Sequence, residues 1–129
     1  MSSLFDTTTD ALAASIRLRQ VRHNVTSSNI ANAETPNFYA KKVDFENALA
    51  SAISDSKSGI RSQDSILGSI DNIQPLISEN SEAAVNNDGN TVDLEKEMSA
   101  LSENSILYKT ALQLINKKMA ALKYALGDR

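Results

Sequence analysis

From Leu94 to Leu126 the chain sets apolar side chains at alternating steps of four and three. The positions are Leu94, Met98, Leu101, Tyr108, Leu112, Ile115, Met119, Leu122 and Leu126, with Ser105 as the one interruption. The mean step is about 3.5 residues, the period at which one helix supercoils along another. A weaker stripe with the same alternation runs through Leu4, Thr7, Ala11, Ala14, Leu18, Val21, Val25, Ser28 and Asn32. Two long sticky helices at the ends of a chain, with polar sequence between them, predict an all-α protein. In it the N- and C-terminal helices pair as an antiparallel coiled coil.

Punctuation sets the boundaries. The first helix is expected to start within the first ten residues, with Asp6, Thr9 or Asp10 as cap, and to end before Thr35-Pro36, because proline pushes the preceding residue out of the helical region. Asn37 tolerates positive φ and belongs in a turn. Asp44 caps a short helix that puts Phe45, Ala48, Leu49, Ala52 and Ile53 on one face. Ser, Asn, Asp and Gly then supply 20 of the 38 residues from 54 to 91, which predicts a polar, outward-facing and largely irregular segment. A weak helical phase at Ile66, Leu67, Ile70 and Ile73 is interrupted by Gly68 and ended by Pro75. Asp88-Gly89 marks a turn, and Thr91 or Asp93 caps the last helix. The chain thus divides into residues 1–35, 36–53, 54–91 and 92–129.

Composition limits the chemistry. The 129 residues include no Cys and no Trp, and the net charge is −3. Disulfides and thiolate catalysis are excluded, and nothing draws the chain to nucleic acid in general. Arg17, Arg19 and Arg22 do not form one basic stripe on a helix, and Lys41 and Lys42 add only a small patch. The single histidine, His23, has no second His or Cys with which to bind a metal. Glu95 with Glu97, and Asp44 with Glu46, suit the positive ends of helices rather than an acid–base pair. No phosphate-binding or nucleophile-elbow motif occurs, and Asn24-Val25-Thr26 falls inside a predicted helix. The sequence therefore predicts no catalytic residue, no cofactor and no metal. No basic, apolar leader opens the chain, so a cleaved secretory signal is not expected.

The last helix also carries Ile106, Leu107, Ala111, Leu114, Ala121 and Ala125 away from its main seam. A single partner helix cannot cover that breadth, so the chain is expected to complete its fold by assembling.

Ser27-Ser28-Asn29-Ile30-Ala31-Asn32-Ala33-Glu34-Thr35-Pro36-Asn37-Phe38-Tyr39 resembles the N-terminal signature of the bacterial flagellar rod and hook proteins, S-x-N-I-A-N-x-x-T-P-G-Y. Ala40 to Phe45 and Asp88-Gly89-Asn90-Thr91-Val92-Asp93-Leu94-Glu95-Lys96-Glu97-Met98 resemble the proximal members of that basal-body rod family. Asn37 replaces the usual glycine and Phe38 the usual tyrosine. The resemblance implies a structural subunit of the proximal rod, the drive shaft between the membrane ring or export gate and the distal rod and hook. It implies partners too: copies of the chain, other rod proteins, a small adaptor at the rod base and the flagellar type III export apparatus. Localisation would be the periplasmic rod, reached without a cleaved signal peptide. The assembly motif would comprise Asn29, Ile30, Ala31, Asn32, Thr35, Pro36, Asn37, Phe38, Tyr39 and Phe45. The helix seam would join Leu18, Val21 and Val25 to the heptad residues of the last helix. The alternative reading is a cytoplasmic helical adaptor or export chaperone.

Overall fold

The computed structural model describes residues 7–57 and 77–127. The order of elements is α1 (Thr7–Ala31), β1 (Lys41–Val43), α2 (Phe45–Lys57), β2 (Ile77–Glu79) and α3 (Leu94–Ala125). The helical phase expected at Ile66–Ile73 and the caps and contacts expected of Leu4 and Asp6 lie outside the described residues.

Helix α3 starts where the sequence places its cap. Asp93 sits in extended backbone (φ −98°, ψ 102°) and its carboxylate accepts the Lys96 N–H at 3.2 Å. Glu95 and Glu97 occupy the positive first turn and Lys123 the last, as the helix dipole favours. Asp44 does the same for α2, accepting the Asn47 N–H at 3.4 Å and the Asn47 amide at 2.6 Å. Thr91, the other cap candidate for α3, is used elsewhere, as described below.

α1 is the spine. α3 lies along it and α2 packs against it. Asn90 reaches the end of α1 at Asn32, whereas Asn104 reaches back to Arg19, so α1 and α3 run in opposite directions. The face that α3 turns toward α1 runs through Leu101, Asn104, Tyr108, Ala111, Ile115 and Leu122. Alternate rungs agree with the predicted seam, and the others fall one residue earlier, at Asn104 and Ala111 instead of Ser105 and Leu112. The apolar pattern has two adjacent columns to offer. The column that meets α1 is the one whose small Ala111 admits close approach and whose Asn104 finds hydrogen-bond partners on Arg19. Leu112 stays half-buried at the edge, while Leu94, Met98, Met119 and Leu126 are 45, 55, 43 and 66% exposed.

On α1 the predicted stripe divides. Leu18 is buried against Ala48, with Val21, Phe45 and Leu49 packed around them, so Leu18 and Val21 serve α2. Val25 borders a groove with Asn29, Lys41 and Ile77. Between α2 and α3, residues 10–17 of α1 are all half-buried. A helix covered from more than one side needs no single apolar face, which explains why its stripe is weak in Thr, Ala and Ser.

An all-α reading misses one element. β1 and β2 form an antiparallel ribbon, with Lys41 opposite Glu79, Lys42 opposite Ser78 and Val43 opposite Ile77. Strands of three residues carry too little alternation to be read from sequence. This ribbon is held from its ends instead, by the Asn80 N–H on the Ala40 carbonyl (2.8 Å) and by Asn29 on Lys41.

The apolar core is thin. Among the described residues the buried apolar side chains are Leu18, Ala40, Val43, Ala48, Val92 and Ala111. The polar side chains of Thr9, Thr26, Asn29, Asn90, Thr91 and Asn104 are buried in equal number. Buried polar atoms are tolerated only when bonded, and among the described residues none lacks a partner.

Candidate assembly interface

The two motifs, separated by about half the chain, close on each other through asparagines. Asn29, 1% exposed, faces the backbone of Lys41: its Nδ2 donates to the Lys41 carbonyl at 2.8 Å and its Oδ1 accepts the Lys41 N–H at 3.0 Å. The primary amide thereby reproduces a peptide group and fixes where the ribbon leaves α1. Asn90, fully buried, does more. Its Nδ2 donates to the carbonyls of Asn32 (2.8 Å) and Thr35 (2.7 Å), and its Oδ1 accepts the Val92 N–H at 2.7 Å. Both carbonyls lie just past the C-terminus of α1, where they accept the N–H groups of Thr35 and Phe38, and Asn90 adds a second donor to each from the other motif. Thr91 finishes the closure. Its N–H donates to the Phe38 carbonyl (3.0 Å), and its Oγ1 accepts the Ala40 N–H (2.8 Å).

Asn32 and Thr35 tighten the end of α1. Asn32 Nδ2 donates to the Ser28 carbonyl at 2.8 Å, and the Thr35 hydroxyl donates to Asn32 Oδ1 at 3.1 Å. Asn37 then adopts φ 59°, and its N–H donates to the Asp88 carbonyl at 3.1 Å. Gly89 lies against it with φ 81°, and a Cβ on Gly89 would run into Asn37 Oδ1. Both positive-φ residues of this crossing therefore depend on small or adaptable side chains. Gly89→Ala is expected to cost about 1–3 kcal/mol of stability, read as a fall in thermal midpoint. Asn37→Gly is expected to relieve the collision, so that the double variant recovers part of the loss.

Phe45 sits beneath two cations. The guanidinium carbons of Arg19 and Arg22 lie 4.6 and 5.8 Å from its ring centroid. Burial and the neighbouring Arg22 lower the Arg19 pKa, with Glu103 opposing them; the group stays charged. Arg19 Nη1 also donates to Asn104 Oδ1 at 3.4 Å, while Asn104 Nδ2 donates to the Arg19 carbonyl at 2.8 Å. Beside this junction a groove opens between α1 and α3, lined by Arg19, Gln20, His23 and Asn24 from α1 and by Asn104, Ser105, Tyr108 and Lys109 from α3.

Of the residues expected to form the assembly motif, those from Asn29 to Tyr39 gather at one end of the hairpin, while Phe45 packs against the middle of α1. Asn29, Asn32 and Thr35 bond within the chain, Phe45 packs on Leu18, and Ile30 and Phe38 are half-buried. Ala31, Pro36, Asn37 and Tyr39 (53%) are exposed. Sequence reasoning singled out neither Asn90, Thr91 nor Asn104 as individual site residues. The motif from Asp88 to Met98 contained the first two. Asn104 is adjacent to the seam interruption at Ser105.

The rest of α3 stays uncovered. Beyond the flank of Leu94, Met98 and Met119, the opposite flank exposes Leu107 (38%) and Leu114 (49%), and Ile106 and Tyr124 are 65 and 87% exposed. Among the described residues α1 is the one element on which α3 packs extensively, and a helix left so broadly apolar marks the class of chains that pack into larger assemblies.

Comparison with known proteins agrees with that class. Residues 10–38 match the family model described as "Flagella basal body rod protein". The chain is 32% identical to flagellar basal body rod protein FlgB of Bacillus subtilis over 127 residues, 96% of each chain. It is 34% identical to FlgB of Aeromonas hydrophila over 86% of each. Against FlgB of Borreliella burgdorferi it is 35% identical over 68% of this chain and 72% of that one. The chain belongs to the FlgB family of flagellar basal body rod proteins, and its role is structural.

Proposed function

We propose that the chain is a subunit of the proximal rod, linking the membrane ring and export gate to the distal rod and hook. Its terminal helices bundle with those of neighbouring copies and of other rod proteins into the inner layer of the shaft. It leaves the cytoplasm through the type III export apparatus, keeps its N-terminus and meets a small adaptor at the rod base. The observation that carries this reading is α3, whose apolar side chains at Met98, Leu107, Leu114 and Met119 remain open after α1 and α2 have taken their places. The asparagine-bonded crossing holds the hairpin in one geometry, so that these flanks reach neighbours at a fixed angle. Antiparallel supercoiling of α1 and α3 belongs to the same proposal.

Fractionation tests it. The chain is expected in purified basal bodies, resistant to extraction with salt. Recovery in cytosol alone would overturn the proposal and favour an adaptor or chaperone that never leaves the cell.

A further inference from the structure

We infer that the cationic groove between α1 and α3 is the seat for the acidic first turn of α3 from a second copy of this chain. This rests on the rod reading and adds to it which part of one copy touches which part of the next.

The groove encloses about 290 Å³. Arg19 and His23 border it from α1, Lys109 from α3, and half-buried Ser105 and Tyr108 lie between them. In a chain of net charge −3, Arg19 and Lys109 bring two positive charges to one groove. Glu103 acts on Arg19 as an opposite charge.

The complementary segment lies on the same helix. Asp93, Glu95 and Glu97 bring three carboxylates within five residues, with Lys96 the sole base among them. Leu94 and Met98, 45 and 55% exposed, sit in the same turn. The segment therefore offers acids for the groove's cations and apolar side chains for Tyr108. Asp93 is already engaged as cap by the Lys96 N–H, and Glu97 is half-buried in the column that continues to Leu101 and Asn104, which leaves the exposed Glu95 as the contact acid.

Geometry requires a second copy. Glu95 and Lys109 are fourteen residues apart on one straight helix, a rise of roughly 21 Å, so no copy can seat its own first turn in its own groove. Seat and occupant are different surfaces, so the contact is heterologous and repeats from copy to copy instead of closing as a two-fold dimer. Parallel neighbours with Glu95 of one beside Lys109 of the next are displaced by fourteen residues, roughly 21 Å along the axis. Fourteen residues are close to four whole turns, so the same face of α3 meets each neighbour.

The absence of cysteine gives a direct test in the full-length chain. Glu95→Cys and Lys109→Cys are made singly and together, and oxidised both in purified basal bodies and in concentrated purified protein. The double variant is expected to give a ladder of disulfide-linked multimers, and an equal mixture of the two singles to give dimers. Each single variant alone is expected to give at least tenfold less product. In parallel, Lys109→Glu is expected to weaken self-association about fivefold at low salt, and Lys109→Glu with Glu95→Lys to restore it. If basal bodies contain the chain but neither the ladder nor the charge rescue appears, the inference falls and the rod reading stands. A cross-link only to a protein of another mass would also overturn it, because the seat would then belong to a different partner. If the chain is missing from basal bodies the rod reading fails, and the purified-protein arms alone decide whether copies meet through this groove.

Discussion

Asp in place of both Met98 and Leu114 abolishes swimming while leaving the helical hairpin standing. These side chains are 55 and 49% exposed on the two flanks of α3, and neither lies on the face that meets α1. Polar substitution at exposed positions changes stability by only about 0.5 kcal/mol. Circular dichroism and the thermal midpoint of the purified variant should therefore match the parent chain closely. In an array, the same carboxylates would be buried against apolar neighbours without partners, at a cost of several kcal/mol per contact. The expected result is a soluble folded chain absent from basal bodies and a non-motile cell. Ile115→Asp is a poorer experiment. Ile115 is half-buried on the α1 side, so its replacement damages the hairpin as well as the array. A swimming strain carrying Asp at both 98 and 114 would show that the flanks face solvent in the cell.

The second large effect is expected at Asn90. Alanine there removes three hydrogen bonds: it leaves the buried Val92 N–H without a partner, and it strips the Asn32 and Thr35 carbonyls of their cross-motif donor, leaving them only the local N–H groups of Thr35 and Phe38. The cost is about 1–3 kcal/mol, a large share of the stability of a chain with so thin an apolar core. Asp tests which half of the amide matters. It keeps the acceptor for Val92 but replaces the donor with a charge facing two carbonyls at the negative end of α1, so Asn90→Asp should be at least as damaging as Asn90→Ala. Hydrogen exchange should report the loss first at residues 28–40 and 88–92, where the two motifs cross. A variant as stable as the parent would mean that the crossing is held by contacts other than these.

What was legible in the sequence is what repeats or caps. The 3.5-residue period gave α3, the Asp93 and Asp44 caps gave the starts of α3 and α2, and Asn37 was recognisable as a positive-φ turn residue. The spacing of Phe45, Ala48 and Leu49 correctly placed one face of α2. Three things were not legible. The apolar pattern does not say which of two adjacent columns meets α1, because that choice rests on the small volume of Ala111 and the hydrogen bonds of Asn104. The ribbon has no periodic signature, since bonds from Asn29 and Asn80 hold it at positions that look like turn. Asn90 bonds across 58 residues to Asn32, and in a stretch rich in Asn, Ser and Asp nothing in its local sequence separates a buried asparagine from a solvated one.

The resemblance located the two motifs, and the structure adds that they are halves of one device. Each brings groups that the other can use: the turn after α1 offers carbonyls with a lone pair to spare, and the second motif brings amide donors. The polar residues of such a joint do not drive folding by burial of apolar area. They fix the geometry, and the apolar surface of α3 is left over for neighbours.

That division is tested most directly by a thiol at position 114. In Leu114→Cys, the sole cysteine of the chain stands on the exposed flank of α3, and its reaction with a maleimide can be followed in the free chain and in intact basal bodies. Rapid labelling of the free chain and at least tenfold slower labelling in the assembled rod is the predicted outcome. Equal labelling in both would contradict the account, because the apolar flank would then have no neighbour to cover it.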